Sequence, residues 1–432
     1  MSETPATGGR KPPHPFLYFL LFLPFGATSG FISVVIGSLA HKAQISDEVI
    51  AGMVAMNTLP HTWKFLWAPL VDTVWTSRGW YITTNLISSA AIISIGFIPI
   101  TDGTVSLITG IIFINGLSTT FVGMCTESLM ARLTPPEGRG AAGGWSQAGN
   151  VGGSMVGGFG LMIADNTSYV WLPSLAVGSA LMCCSLALAF VKEPPLTGPR
   201  PTFKDSLLSL GKDIYGLLID RKRAKGLPNK WLIPFPPVFL YVLSGAGILS
   251  IALCLMPIGS GGAANLFAAI ADDWGASTST VSFVNGLGSG GAAIVGSLAG
   301  GYLANKMDKR RAYALSGVIL AVVTFAMAAT PRTQPFYGAG VLAYYAALGM
   351  CYATFTAFVL DIIGHSGGAT KYNLFASLAN MPIYAMGLLD GWIATNHGRT
   401  TMLWIDGLSG IIGAALLMII VFLLRGRTTR AA

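Results

Sequence analysis

Of the 26 lysines and arginines in this chain, Lys64 alone sits deep inside an apolar segment, 49–71. A bilayer crossing takes roughly 20 apolar residues, so that segment is long enough to span. An ammonium inside such a span costs about 2.5–3.5 kcal/mol on insertion scales, which predicts a cavity or a partner rather than lipid around it. Asn57, His61 and Lys64 recur at spacings of four and three. On a regular helix the three share one face. A polar stripe of this kind lines a water-accessible path or joins neighbouring helices. The other ionisable residues in apolar segments are few: Glu127, Asp361, Asp390 and Asp406. Each is costly there and therefore a candidate for function. Lys64 and Glu127 make the sharpest pair. A carboxylate beside an ammonium in low dielectric stays ionised, and an arriving proton or anion breaks the pairing. The competing partner for Glu127 is Arg78 or Arg132, nearer the membrane surface. His61 is a candidate proton shuttle, because imidazole titrates near neutrality; equally it is a structural histidine beside Pro60. Asp361 is a candidate for the pathway, and Asp390 for gating or packing.

Neutral polar residues extend the candidate site: Gln147, Asn150, Asn265, Asn285, Asn380 and Tyr384. Asn380 and Tyr384 are four apart and share a helix face. Amides and a phenol suit a solute with many hydroxyls and amides, such as a sugar-peptide. Each one singly also reads as an interhelical hydrogen bond. The run from Gly259 to Asn265 is superficially a phosphate cradle, but no Lys-Ser/Thr follows it and no strand precedes it. Pro257 with Gly259, Gly261 and Gly262 instead predicts a bend in a membrane helix, placed to hinge a gate.

These side chains need membrane helices to position them. The chain has 432 residues, of which 53 % are hydrophobic and 10 % charged. Soluble domains carry roughly 25 % charged residues. Apolar stretches near 16–40, 49–71, 79–100, 104–130, 141–164, 169–191, 235–270, 279–304, 312–330, 336–363, 374–395 and 400–424 give twelve candidate spans. If the N-terminus is cytoplasmic and the spans alternate, 22 basic residues fall on the cytoplasmic side. Only Lys42, Arg332 and Arg399 fall outside, and Lys64 lies within. This asymmetry fixes the expected topology, with both ends cytoplasmic, because one missed helix inverts everything downstream. The net charge of +8 is scattered over short loops and forms no basic face, which argues against nucleic acid. The five cysteines lie in apolar segments without metal-ligand spacing, and no metal or cofactor is expected.

The expected organisation is a tail (1–15), a six-helix bundle (16–191), a cytoplasmic loop (192–234), a second six-helix bundle (235–424) and a tail (425–432). Within the loop, Phe203, Leu207, Leu210, Ile214 and Leu217 predict an amphipathic helix on the membrane surface. The halves read as a duplication. Ala68-Pro-Leu-Val-Asp72 followed by Arg78 matches Gly301-Tyr-Leu-Ala-Asn305 followed by Lys306, Lys309, Arg310 and Arg311. The offset is 233 residues, and it carries Glu127 to a position beside Asp361.

A small residue, three variable positions, then Asp or Asn and a basic cluster resembles motif A of the major facilitator superfamily. Leu23-Pro24 with Thr28-Ser29-Gly30, and Lys64-Phe-Leu-Trp-Ala-Pro-Leu-Val-Asp72, resemble the AmpG-like muropeptide permeases, which group with acetyl-coenzyme A transporters. Pro136-Glu-Gly-Arg139, Ala369-Thr370 and Gly391-Trp392 with His397-Gly398 extend the likeness. The resemblance implies an all-α polytopic protein with twelve transmembrane helices in two pseudo-symmetric six-helix bundles. It also implies a monomeric permease of a bacterial inner membrane that moves a small-molecule substrate, with protons, by alternating access. Asp72, Arg78 and Arg139 would then help close the inner gate. A bulky anion, most of all a peptidoglycan-derived muropeptide, is the expected solute; acetyl-coenzyme A, a siderophore or another organic anion is the alternative. A solute-binding sensor or a membrane-embedded acyltransferase is the reading from another class. No Walker motif is present to couple ATP.

Overall fold

The computed structural model describes residues 12–45, 47–193, 202–219, 243–363 and 368–428. Among the described residues the regular structure is helical, with one isolated bridge between Ile219 and Leu243. Twelve helical spans cross the molecule in alternating directions. Seven of them are long and apolar enough to cross a membrane on hydropathy alone. Several of the rest are weakened by polar side chains, glycine or a break, and three of these, the second, fifth and eleventh, contribute to the candidate site together with the apolar fourth and tenth.

The first span runs Phe16–Gly30, through a π-helical turn Phe31–Ile36, into Gly37–Lys42. The second is broken. It runs Asp47–Trp63, tightens into a 3-10 turn at Lys64–Leu66 and resumes as Ala68–Thr73. The third to sixth are Ser77–Ile95, Val105–Leu133, Arg139–Asp165 and Leu172–Cys184, the last continued by a 3-10 stretch Ser185–Phe190. The seventh, Gly245–Leu255, ends in extended backbone at Met256 and restarts at Gly262–Leu266, Phe267–Ile270 and Ala271–Trp274. The expected bend is thus an unwound stretch. Gly259 and Gly261 have φ of +67° and +68°, a left-handed conformation that glycine adopts without penalty.

The eighth span is Thr278–Phe283, a π-helical turn Val284–Gly288, and Ser289–Lys306. The ninth to twelfth are Lys309–Ala329, Gln334–Ile363, Gly368–His397 and Arg399–Thr428. Several starts are set by capping. Thr76, Ser244 and Ser277 accept from backbone amides at the third, seventh and eighth, and Asp308 accepts from Arg310 and Arg311 at the ninth.

The duplication is visible in packing. Gly116 of the fourth span lies so close to Asn57 of the second that a Cβ would stand 2.3 Å from its carbonyl oxygen. Gly349, 233 residues on, meets Ala293 in the same way, also at 2.3 Å. The second-to-fourth crossing is therefore repeated as the eighth-to-tenth. Between bundles, the fifth span meets the eighth at Gly140, Gly144, Gly301 and Ser297, where small residues let backbones touch.

The apolar cores show where the bundles join. At the end carrying Arg139 and Lys309, one buried cluster mixes Tyr18, Met130 and Ala142 of the first bundle with Leu249, Phe358, Tyr372 and Phe375 of the second. At the far end the clusters are separate. One holds Phe31, Ile92 and Val177, and the other Phe267, Trp274 and Tyr337.

A surface helix, Phe203–Leu218, follows the first bundle, with Thr202 and Asp205 forming a reciprocal cap at its start. It packs against the end of the second span and the start of the seventh. Residues 220–242 of the expected loop and seventh stretch lie outside the described residues.

Candidate substrate and proton site

The break in the second span puts Lys64 at the first position of a 3-10 turn. Its Nζ lies 3.8 Å from Oε1 of Glu127 on the fourth span, and both residues are buried. Neither Arg78 nor Arg132 is the partner. Arg132 is engaged elsewhere: its Nη2 donates to Glu193 at 3.0 Å and to the hydroxyls of Ser128 and Ser77. Glu193 also accepts from the amides of Ser77 and Arg78, at 3.1 and 3.2 Å. A carboxylate on the first turn of the third span suits the positive end of the helix dipole. Neither Glu193 nor this role for Arg132 was expected from sequence. The only signal was an acid just past the sixth span.

Lys64 is 7 % exposed. The eleventh span packs over the 3-10 turn that carries it. From that span Asn373 lies within hydrogen-bonding reach of the Glu127 carboxyl, and Tyr372 stands nearby. Tyr372 donates to Thr356 Oγ1 at 3.1 Å, Gln147 donates to the same oxygen at 3.0 Å, and Asn150 donates to Gln147 at 3.1 Å. Gln147 and Asn150 thus belong to a polar chain that crosses between the bundles. Thr356 and Tyr372 complete it, and no local pattern in the sequence picks out these two or Asn373.

Other expected members stand elsewhere. Asn57 does not share an open face with Lys64. It accepts from Asn115 at 2.9 Å, which in turn accepts from Ser88 at 2.6 Å, and it donates to Ser29 at 3.3 Å. The stripe faces the fourth span because the second and fourth cross closely there. His61 stacks edge-on against Phe25, 4.8 Å between centroids, with a buried Nδ1 that has no hydrogen-bond partner. Asn285 is held within the second bundle, donating to Val281 O and to the Tyr337 hydroxyl. Asp361 lies at the surface end of the tenth span rather than beside Lys64. It meets Arg139 at 3.2 Å and Lys309 at 3.7 Å, closing a latch between the bundles. Asn380 is exposed in mid-span. Asp390 is fully buried against Gly262, where a Cβ would stand 2.1 Å from its Oδ2. The side chains of Asp72, Asn265 and Tyr384 lie outside the described residues. Among the described residues no cluster of ligating side chains has the makings of a metal site.

Twelve spans in two repeated bundles, with a buried ion pair at a broken helix and a polar chain between the halves, define a polytopic membrane transporter. The family model of the Major Facilitator Superfamily matches residues 16–260 and 249–432, and the chain belongs to that superfamily. Among curated proteins it is 24 % identical over 418 residues to the anhydromuropeptide permease of Escherichia coli K12, covering 93 % of this chain and 78 % of that one. Among solved structures it is similar to the E. coli fucose:proton symporter (TM-score 0.66, 13 % identity, 94 % and 98 % of the two chains). It is also similar to a proton:xylose symporter (0.65, 15 %, 94 % and 95 %) and to a human organic anion transporter (0.65, 13 %, 93 % and 98 %). These likenesses bear on the fold.

Proposed function

We propose that this protein is a proton-coupled, alternating-access importer of a bulky anionic solute, of the peptidoglycan-derived muropeptide class. It would work as a monomer in a bacterial inner membrane, with both termini and the surface helix cytoplasmic. The observation that carries the reading is the buried pair of Lys64 and Glu127, 3.8 Å apart at the break in the second span. A lone cation in such a place is a counter-charge for an anion. Glu127 neutralises it in the absence of solute. When a proton occupies Glu127, Lys64 is released to bind the solute, so proton and solute arrive together. The likeness to the E. coli anhydromuropeptide permease supports the solute class, and the amides of Gln147, Asn150 and Asn373 suit its sugar and peptide groups.

The joined cores at the Arg139 end and separate cores at the far end support an outward-facing conformation. Entry from outside followed by rocking of the bundles then carries solute inward.

The test is uptake of labelled anhydro-muropeptide into proteoliposomes under an imposed pH gradient. Accumulation is expected for wild type. Glu127→Gln should exchange solute across the membrane without accumulating it, and Lys64→Ala should bind none. Absence of acid-driven uptake, or full uptake by Lys64→Ala, overturns the reading.

A further inference from the structure

A second acidic site lies in the far half of the C-terminal bundle, away from Lys64. Asp390 of the eleventh span and Asp406 of the twelfth are 0 % and 5 % exposed, and their carboxyls lie within hydrogen-bonding reach of each other. Asp406 has a donor. The Tyr344 hydroxyl of the tenth span donates to its Oδ2 at 3.2 Å, and the Ala263 backbone of the seventh span lies beside it, while the Thr324 hydroxyl of the ninth donates to Leu320 O. Asp390 has none: neither of its oxygens, nor Oδ1 of Asp406, finds a hydrogen-bond partner. Among the described residues no lysine, arginine or histidine pairs with either carboxyl. The titratable groups around the pair are the phenol of Tyr344 and, behind it, those of Tyr345 and Tyr352.

Two adjacent buried carboxylates cannot both ionise without a cation, and three orphaned acceptor oxygens need a donor. One proton supplies both needs. It turns Asp390 into an O–H donor toward Asp406, while Asp406 stays anionic and also accepts from Tyr344. A metal cation does not fit as well. Hard cations want six or more oxygen ligands, whereas the other groups serving the pair here are donors. The backbone of Gly262 also fills the space against Asp390 Oδ2.

We propose that Asp390 and Asp406 form a proton-binding site, one proton held between them with Asp390 as the protonated member. It fastens the far half of the seventh span, just past the unwound Gly259–Gly261 stretch, to the eleventh and twelfth. Loss of that proton sets two anions against the Gly262 turn and loosens it. This site does not rest on the roles given to Lys64 and Glu127.

The test is infrared spectroscopy of purified protein in detergent without solute, observing the band of a protonated, hydrogen-bonded carboxylic acid. At neutral pH the wild type should show it, and alkaline titration should abolish it with the amplitude of one carboxyl. Asp390→Asn should lose the band and keep its fold, because the Asn amide donates to Asp406 as the acid did. Asp406→Asn should keep a shifted band, since Asp390 stays protonated against the new amide. Glu127→Gln should leave this band untouched. A wild type without the band overturns the proposal, as does a band that survives Asp390→Asn or vanishes in Glu127→Gln. Should Asp390→Asn fail to fold, the wild-type titration and the Asp406→Asn band decide.

Discussion

Arg139, at the start of the fifth span, reaches across the two bundles to Asp361 at the end of the tenth, 3.2 Å from nitrogen to oxygen. The guanidinium is buried and the carboxylate is 41 % exposed, with Lys309 on its other side. The contact lies at the end where the apolar cores are continuous, so it holds the molecule in one of its states. Asp361→Asn should favour opening at that end. An ion pair of mixed exposure is worth about 1 kcal/mol, or roughly five-fold in the balance of two states. Spin-label distances across that end of the bundles measure the shift. The exchanged pair Arg139→Asp with Asp361→Arg should restore part of it. An unchanged distance distribution in Asp361→Asn removes the latch.

Truncating one member of the Lys64–Glu127 pair should cost more than removing both charges. A buried charge stripped of its partner costs about 3–5 kcal/mol, whereas replacing both members with neutral groups is often close to neutral. Thermal unfolding of Lys64→Met, Glu127→Gln and the double variant gives the comparison. The double variant should melt well above Lys64→Met. Additive losses instead would mean that the two side chains do not compensate one another.

The fifth and eighth spans should tolerate no added methyl at their crossing. A Cβ on Gly144 would stand 2.9 Å from both Gly301 Cα and Ser297 O, all backbone atoms, whereas one on Gly158 meets nothing within 4 Å. Gly144→Ala should therefore lose about 1–3 kcal/mol through overpacking, and Gly158→Ala should lose little. Melting temperatures of the two single variants settle the contrast.

The surface helix carries its own pH signature. Hydrogen bonds from the Thr202 hydroxyl and amide hold the exposed Asp205 carboxyl below its usual range. A depressed carboxyl lends stability above its ordinary titration range and withdraws it as pH falls through the depressed value. Thr202→Ala should thus speed amide exchange across 203–218 at neutral pH. At strongly acid pH, where Asp205 is protonated in both, the difference should shrink. Equal exchange at neutral pH would deny the cap any role.

What the sequence made legible was whatever is costly in lipid. Lys64 and Glu127 stood out because each is an ion in an apolar run, and they meet. Pro257, Gly259 and Gly261 announced a break because glycine and proline carry backbone preferences of their own. Partnerships between distant spans were not legible. The spacing of Asn57, His61 and Lys64 defines a face, but not which neighbour that face meets, and the break after Trp63 takes Lys64 off the regular helix. Asp390 and Asp406 are each visible as buried acids, yet only the packing of the eleventh span on the twelfth makes them a pair. The acid that Arg132 meets was not legible, because Glu193 sits beyond the last apolar residue of its span, where burial is not expected.

The same distinction gives a test of Asn57. If its work is the hydrogen bond from Asn115 at 2.9 Å, then Asn57→Leu orphans a buried amide on the fourth span. Polar contacts between membrane helices average about 0.6 kcal/mol and reach about 1.7, so the single variant should lose an amount in that range. The double variant, Asn57→Leu with Asn115→Leu, removes both groups and should recover part of the loss. Solute affinity should be unchanged throughout, because the amide points into the helix contact and away from Lys64. A double variant that is stable but binds solute weakly would return Asn57 to the transport pathway.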